Sequence, residues 1–246
     1  MSEGRLNLLL LPYAGAGAGV FRDWPGRCPA WINPIPLTLP GRGVRHGEPL
    51  LHEWPALLDL LVREVTPHLE SPFALFGHSL GALIAAELAN AIRARFARTP
   101  VWLGVSGCVA PSRRRLELKW LNCPEEEFLS ELRALRGTPP ELLGNRELLD
   151  LVMPVLRADF HLAGSYRPSP RPPLPVPLLV LAGTLDRDVS ADPENLSAWS
   201  RETTGPMRIK TIDAGHFFLD THRDVVIRHV LQGLWDARRA LERADA

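Results

Sequence analysis

Short apolar runs alternate with stretches of helical periodicity along most of the chain. That alternation predicts a parallel sheet joined by crossover helices. Residues 6–11 (LNLLLL), 32–39 (INPIPLTL), Phe73–Phe76, 101–106 (VWLGVS), 178–182 (LLVLA) and Arg208–Ile212 read as strands. The second is irregular, broken by Pro34 and Pro36 and stopped by Pro40-Gly41. Near-continuous apolar strands are what a sheet covered on both faces requires. Between them, Leu57, Leu58, Leu61, Val62 and Val65 form an amphipathic helical stripe within 54–69. Residues 80–97 are a helix rich in alanine and leucine, and a closing helix runs from Arg223 to Ala244.

The segment between the fourth and fifth strands is too long for one crossover. Residues 124–136 carry a proline, then three glutamates, then arginines at the end with Gly137 after them, matching the helix dipole at both ends. A further stripe follows at Leu148, Leu149, Val152, Val155 and Leu156, and the segment ends in the proline-rich stretch 168–177. The expectation is an α/β fold over one domain, 1–246, with a helical lid inserted at 112–167.

Composition narrows the classes. The 246 residues are 46% hydrophobic, with 28 basic against 28 acidic side chains. A neutral balance argues against a nucleic-acid partner. No run approaches the roughly 18–20 apolar residues of a membrane helix, and the apolar start is too short for a secretory signal. Cys28, Cys108 and Cys123 show no paired spacing, so buried reduced thiols in a cytoplasmic protein are expected. His46 and His52 lack a suitably spaced third ligand, and no metal or cofactor is expected.

The chemistry concentrates at Gly77-His78-Ser79-Leu80-Gly81, a G-x-S-x-G between a strand and a helix. A serine on such a sharp turn needs small neighbours, and the helix N-terminus favours an oxyanion beside it. A serine nucleophile needs a base and an orienting acid, which in this arrangement follow in the order acid, then histidine. His216, in Asp213-Ala-Gly-His-Phe-Phe, lies just past the last strand, where Phe217-Phe218 can anchor its loop. Two acids compete after LLVLA: Asp186, near the strand end, and Asp188, farther into the loop. The oxyanion donors are expected to be the N–H groups of Leu80 and of Ala14, in the loop Pro12–Gly17.

PYAGAGAGVFRDW, LPGRGVRHGEP, FALFGHSLGAL, FLSELRALRGTPPELL, LRADF and GHFFL occur in this order. Together they resemble the type II thioesterases, α/β-hydrolases that accompany polyketide and nonribosomal peptide synthetases. The resemblance implies hydrolysis of acyl groups from the phosphopantetheine arm of an acyl or peptidyl carrier protein. It also implies Ser79 as nucleophile, His216 as base, and Leu80 and Ala14 as oxyanion donors. The family's acid stretch reads G-x-x-D-P-x-V; here Arg187 replaces the proline and Ala191-Asp192 resemble an insertion. Asp186 is the expected acid, and Asp188, which counting back from His216 without gaps selects, is its alternative. Carrier proteins are generally acidic, which makes Arg113-Arg114-Arg115 a candidate contact, although a charge run is more often a solvated face. Competing readings are a carboxylesterase or lactonase of the same fold, a non-catalytic carrier-binding module, and an NADP-binding oxidoreductase. The last rests on Gly15-Ala-Gly17-Ala-Gly19, whose spacing departs from G-x-G-x-x-G.

Overall fold

The computed structural model describes residues 5–135, 137 and 143–244. Its strands are β1 (Leu6–Leu11), β2 (Ile32–Pro36), β3 (Phe73–His78), β4 (Trp102–Ser106), β5 (Leu178–Gly183) and β6 (Met207–Ile212). They form one sheet in the order β2-β1-β3-β4-β5-β6, and every pairing is parallel. All six strands lie where the apolar runs predict them. β2 ends at Pro36, earlier than expected, and its prolines are tolerated because it is an edge strand.

The leucine run of β1 is explained by burial on both faces. Leu9 and Leu11 pack with helices α1 (Trp54–Val65) and α2 (Leu80–Phe96). Leu8 and Leu10 pack with Phe21, Trp24 and the apolar face of the closing helix. Burying each such leucine contributes roughly 2 kcal/mol. β6 is the exposed edge strand, and Arg208 and Lys210 along it discourage further strand pairing.

The chain leaves β1 for one side of the sheet, at β2, and later builds β3 to β6 on the other side. Connections that part in this way leave a crevice beyond the carboxyl ends of β1 and β3. That crevice is roofed by α3 (Glu125–Leu135) and α4 (Arg146–Ser165), which lie between β4 and β5 in the chain. The roof has its own apolar cluster, with Trp120, Phe128, Leu132, Leu149 and Met153 at its centre. Asn145 caps α4, its side-chain oxygen accepting the Leu148 N–H at 3.2 Å. Leu148 departs from the expected inward stripe and is exposed, whereas Leu149 is buried. The Trp54 indole N–H donates to the Leu162 carbonyl at 2.9 Å and ties α1 to α4. Among the described residues no helix is long and apolar enough to cross a membrane.

Candidate active site

Ser79 stands between β3 and α2 with φ 56°, in a region that side-chain-bearing residues rarely adopt. Two contacts force the turn. A Cβ on Gly77 would lie 1.9 Å from the Gly81 carbonyl oxygen, and one on Gly81 would lie 2.2 Å from that of Leu11. The glycines therefore let α2 start directly against the end of β1. The Ser79 N–H donates to the Ser106 carbonyl at 2.8 Å, which secures the bend to β4. The serine side chain does not cap the helix it precedes.

That side chain is turned to His216, whose Nε2 lies 2.9 Å from Ser79 Oγ. Nδ1 of the same ring lies 2.6 Å from Asp186 Oδ2. A carboxylate only accepts, so Nδ1 carries the proton and Nε2 is left to accept from the serine hydroxyl. Asp186 is 4% exposed and His216 15%, so both groups are held away from bulk water. Asp188 is exposed and does not contact His216; its carbonyl accepts from Asn195. Residues 187–190 form one helical turn, which carries Asp188 away from the ring and leaves Asp186 at the end of β5. Ala191 and Asp192 extend that loop toward Arg113, which pairs with Asp192 at 2.5 Å and Glu194 at 3.1 Å. Arg113 is thus engaged within the chain, which weakens the run as a candidate carrier contact. Arg114 donates to the Ala163 carbonyl, and only Arg115 of the three is exposed.

Among the described residues, the N–H groups of Ala14 and Leu80 have no protein acceptor. Both residues border one cavity of about 140 Å³ together with Ser79 and His216. A second cavity of about 360 Å³ also reaches Ser79, Ala14 and His216, and is walled by Val20, Leu132, Val152, Leu156 and Phe217. The smaller one is more polar, with Arg114, Glu131 and Asp188 in its lining. Cys108 also lines it as a neutral thiol, pushed up to about 11 by burial. Cys28 and Cys123 are half-buried, against the expectation of fully buried thiols.

Of the two phenylalanines expected to anchor the histidine loop, only Phe218 is buried. Phe217 instead faces the larger cavity, edge-on to Tyr13 at 5.1 Å. The Tyr13 hydroxyl donates to Asp220 at 2.7 Å, linking the loop after β1 to the segment after His216.

His78 has a role that motif reading does not supply. Its ring is fully buried, Nε2 donating to the His216 carbonyl and Ser106 Oγ donating to Nδ1, each at 2.9 Å. Burial first, and the neighbouring His216 second, hold it well below the usual imidazole range, so it stays neutral and fixes the backbone that carries His216. The signal in the sequence was a polar residue inside an otherwise apolar strand end.

The thioesterase domain family matches residues 7–234. The gramicidin S biosynthesis protein GrsT of Aneurinibacillus migulanus is 36% identical over 218 residues, covering 89% of this chain and 84% of its own. The RedJ thioesterase of the prodiginine pathway in Streptomyces coelicolor superposes with a TM-score of 0.86 at 32% identity, over 94% of this chain and 91% of its own. The type II thioesterase BorB from the borrelidin cluster does so with a TM-score of 0.80 at 32% identity, over 94% and 93%. The chain belongs to the thioesterase domain family, with the α/β-hydrolase fold, and its structural neighbours include type II thioesterases from the borrelidin cluster and the yersiniabactin nonribosomal peptide/polyketide pathway.

Proposed function

We propose that this chain hydrolyses acyl thioesters carried on the phosphopantetheine arm of a carrier protein, with Ser79, His216 and Asp186 as its catalytic residues. The observation that carries this reading is the single imidazole placed within hydrogen-bond reach of both Ser79 Oγ and the Asp186 carboxylate. In the first step His216 Nε2 takes the serine proton as Oγ attacks the thioester carbonyl. The oxyanion is met by the N–H groups of Ala14 and Leu80, and the carbon–sulfur bond breaks as the imidazolium returns its proton to the departing thiol. In the second step the same ring deprotonates a water, which attacks the acyl-serine and releases a carboxylic acid. Asp186 holds the ring in its required tautomer and balances its transient charge.

A carrier-bound thioester has two limbs, the acyl group and the arm. The two cavities that meet at Ser79 supply room for both. Helices α3 and α4 act as the lid over them, within one domain that works in the cytoplasm.

The test is covalent labelling with a serine-directed phosphonate, followed by mass spectrometry. Wild-type protein should gain one adduct and Ser79→Ala none; equal labelling would remove the assignment. Turnover of an acyl-pantetheine thioester should exceed that of its oxygen ester, and the reverse order would favour an esterase.

A further inference from the structure

We propose that Asp159, held in place by Arg42, is a positioning residue through which helix α4 sets the geometry of the oxyanion loop. This rests on the hydrolase reading above and adds to it a residue pair outside the nucleophile, base and acid. Asp159 is 1% exposed and Arg42 8%, so both charges are withdrawn from water. Arg42 grips the carboxylate with both terminal nitrogens: Nη2 donates to Oδ1 at 2.8 Å and Nη1 donates to Oδ2. The same Oδ2 accepts the Gly15 N–H at 2.7 Å. Gly15 directly follows Ala14, whose own N–H is the second oxyanion donor.

Tyr13 and Ala16 are also tied down, Tyr13 to Asp220 and the Ala16 N–H to the Tyr13 carbonyl at 3.1 Å, but among the described residues the Gly15 N–H is held by Asp159. Gly15 has φ 79°, a conformation glycine permits but does not enforce. Arg42 also donates to the Ala16 carbonyl at 3.5 Å and to the Pro40 carbonyl at 3.3 Å, so one guanidinium joins the loop after β1, the loop after β2 and α4. A Cβ on Gly15 would lie 2.5 Å from Leu156, one helical turn from Asp159. Val152 and Leu156, on the same helix, wall the larger cavity. One helix therefore both encloses the substrate space and holds the peptide beside the oxyanion donor. Any displacement of α4 that widens the cavity also withdraws the carboxylate from Gly15, so the donor is correctly placed only when the helix is seated.

A buried ion pair is tested best by removing both partners, since an apolar pair of similar volume preserves folding while a lone buried charge does not. The Arg42→Met/Asp159→Leu chain should remain folded, with kcat for a short acyl N-acetylcysteamine thioester lowered about 10–100-fold, the cost of a misplacement near 1 Å. KM should stay within about threefold, because the loss falls on transition-state stabilisation. Amide hydrogen exchange over residues 13–17 should accelerate while that of β1 and β3 is unchanged. Arg42→Gln/Asp159→Asn, which removes both charges but keeps an oxygen for the Gly15 N–H, should recover part of kcat. Wild-type kcat in the double variant, or unchanged exchange in the loop, would overturn the proposal. Failure of the hydrolase reading would appear differently, as a wild-type chain that never turns the thioester over.

Discussion

Replacing Asp186 with asparagine changes one atom, and it separates the two acids that counting along the chain leaves open. The carboxylate oxygen lies 2.6 Å from His216 Nδ1 and the residue is 4% exposed, so the pair is shielded from bulk water. With charge centres about 4 Å apart and an effective dielectric near 20, the carboxylate stabilises the imidazolium formed during catalysis by about 4 kcal/mol. That loss alone is about 10³ in kcat at 1.36 kcal/mol per tenfold. When the asparagine NH2 faces the ring, Nδ1 must accept, the proton moves to Nε2, and the base can no longer receive from Ser79. Together these give an expected loss of about 10³–10⁴ in kcat. Steady-state hydrolysis of a short acyl N-acetylcysteamine thioester measures it. Asp188→Asn, made alongside, should lose far less, because Asp188 borders the smaller cavity but has no hydrogen bond to His216. An Asp186→Asn enzyme that keeps a tenth of wild-type kcat, or an Asp188→Asn enzyme that loses as much, would refute the reasoning.

Gly81→Ala should cost about 3 kcal/mol or more, because its Cβ meets two backbone carbonyls, those of Leu11 and Pro12, which cannot rotate away; a urea melt at wild-type midpoint would contradict this. His78 is neutral in the folded chain and takes up a proton once unfolded. Its contribution is therefore complete above about pH 6.5 and lost below it, at up to about 1.4 kcal/mol per pH unit. In His78→Gln, urea melts between pH 7 and 5 should lose that part of the slope, and an unchanged slope would remove the assignment. Ala97 ends α2 with φ 52°, so Ala97→Gly should stabilise by about 0.5–1 kcal/mol, read as a higher melting temperature; no rise would show the turn relaxes.

The inner strands were legible because each is a nearly unbroken apolar run, and a parallel sheet buried on both faces admits little else; the edge strands β2 and β6 carry prolines or charges instead. Ser79 and His216 were legible because a strand-to-helix turn and a strand end constrain which residue types can stand there. Asp186 is favoured by its place near the strand end, but spacing alone leaves Asp188 as an alternative because the two differ in how the chain turns after β5. One helical turn at 187–190, invisible to residue spacing, is what leaves Asp186 within hydrogen-bond reach of His216. The ion pairs of Arg113 were not legible for a similar reason: Asp192 and Glu194 lie far from it in sequence and reach it only through the fold. Asp159 sits next to Phe160 on a helix whose apolar stripe suggests plain packing, and nothing local announces that its partner is Arg42.

The bend at Ser79 has a consequence for anyone reshaping this molecule. A non-glycine residue at φ 56° carries strain of about 1–3 kcal/mol, and a helix without a capping side chain forgoes about 1 more. The position proposed as the nucleophile is thus a weak point of the scaffold, and losing the hydroxyl-bearing residue, to glycine for example, would make the scaffold sturdier. Libraries ranked by heat tolerance alone would drift toward inert proteins, so turnover has to be scored beside survival at every round.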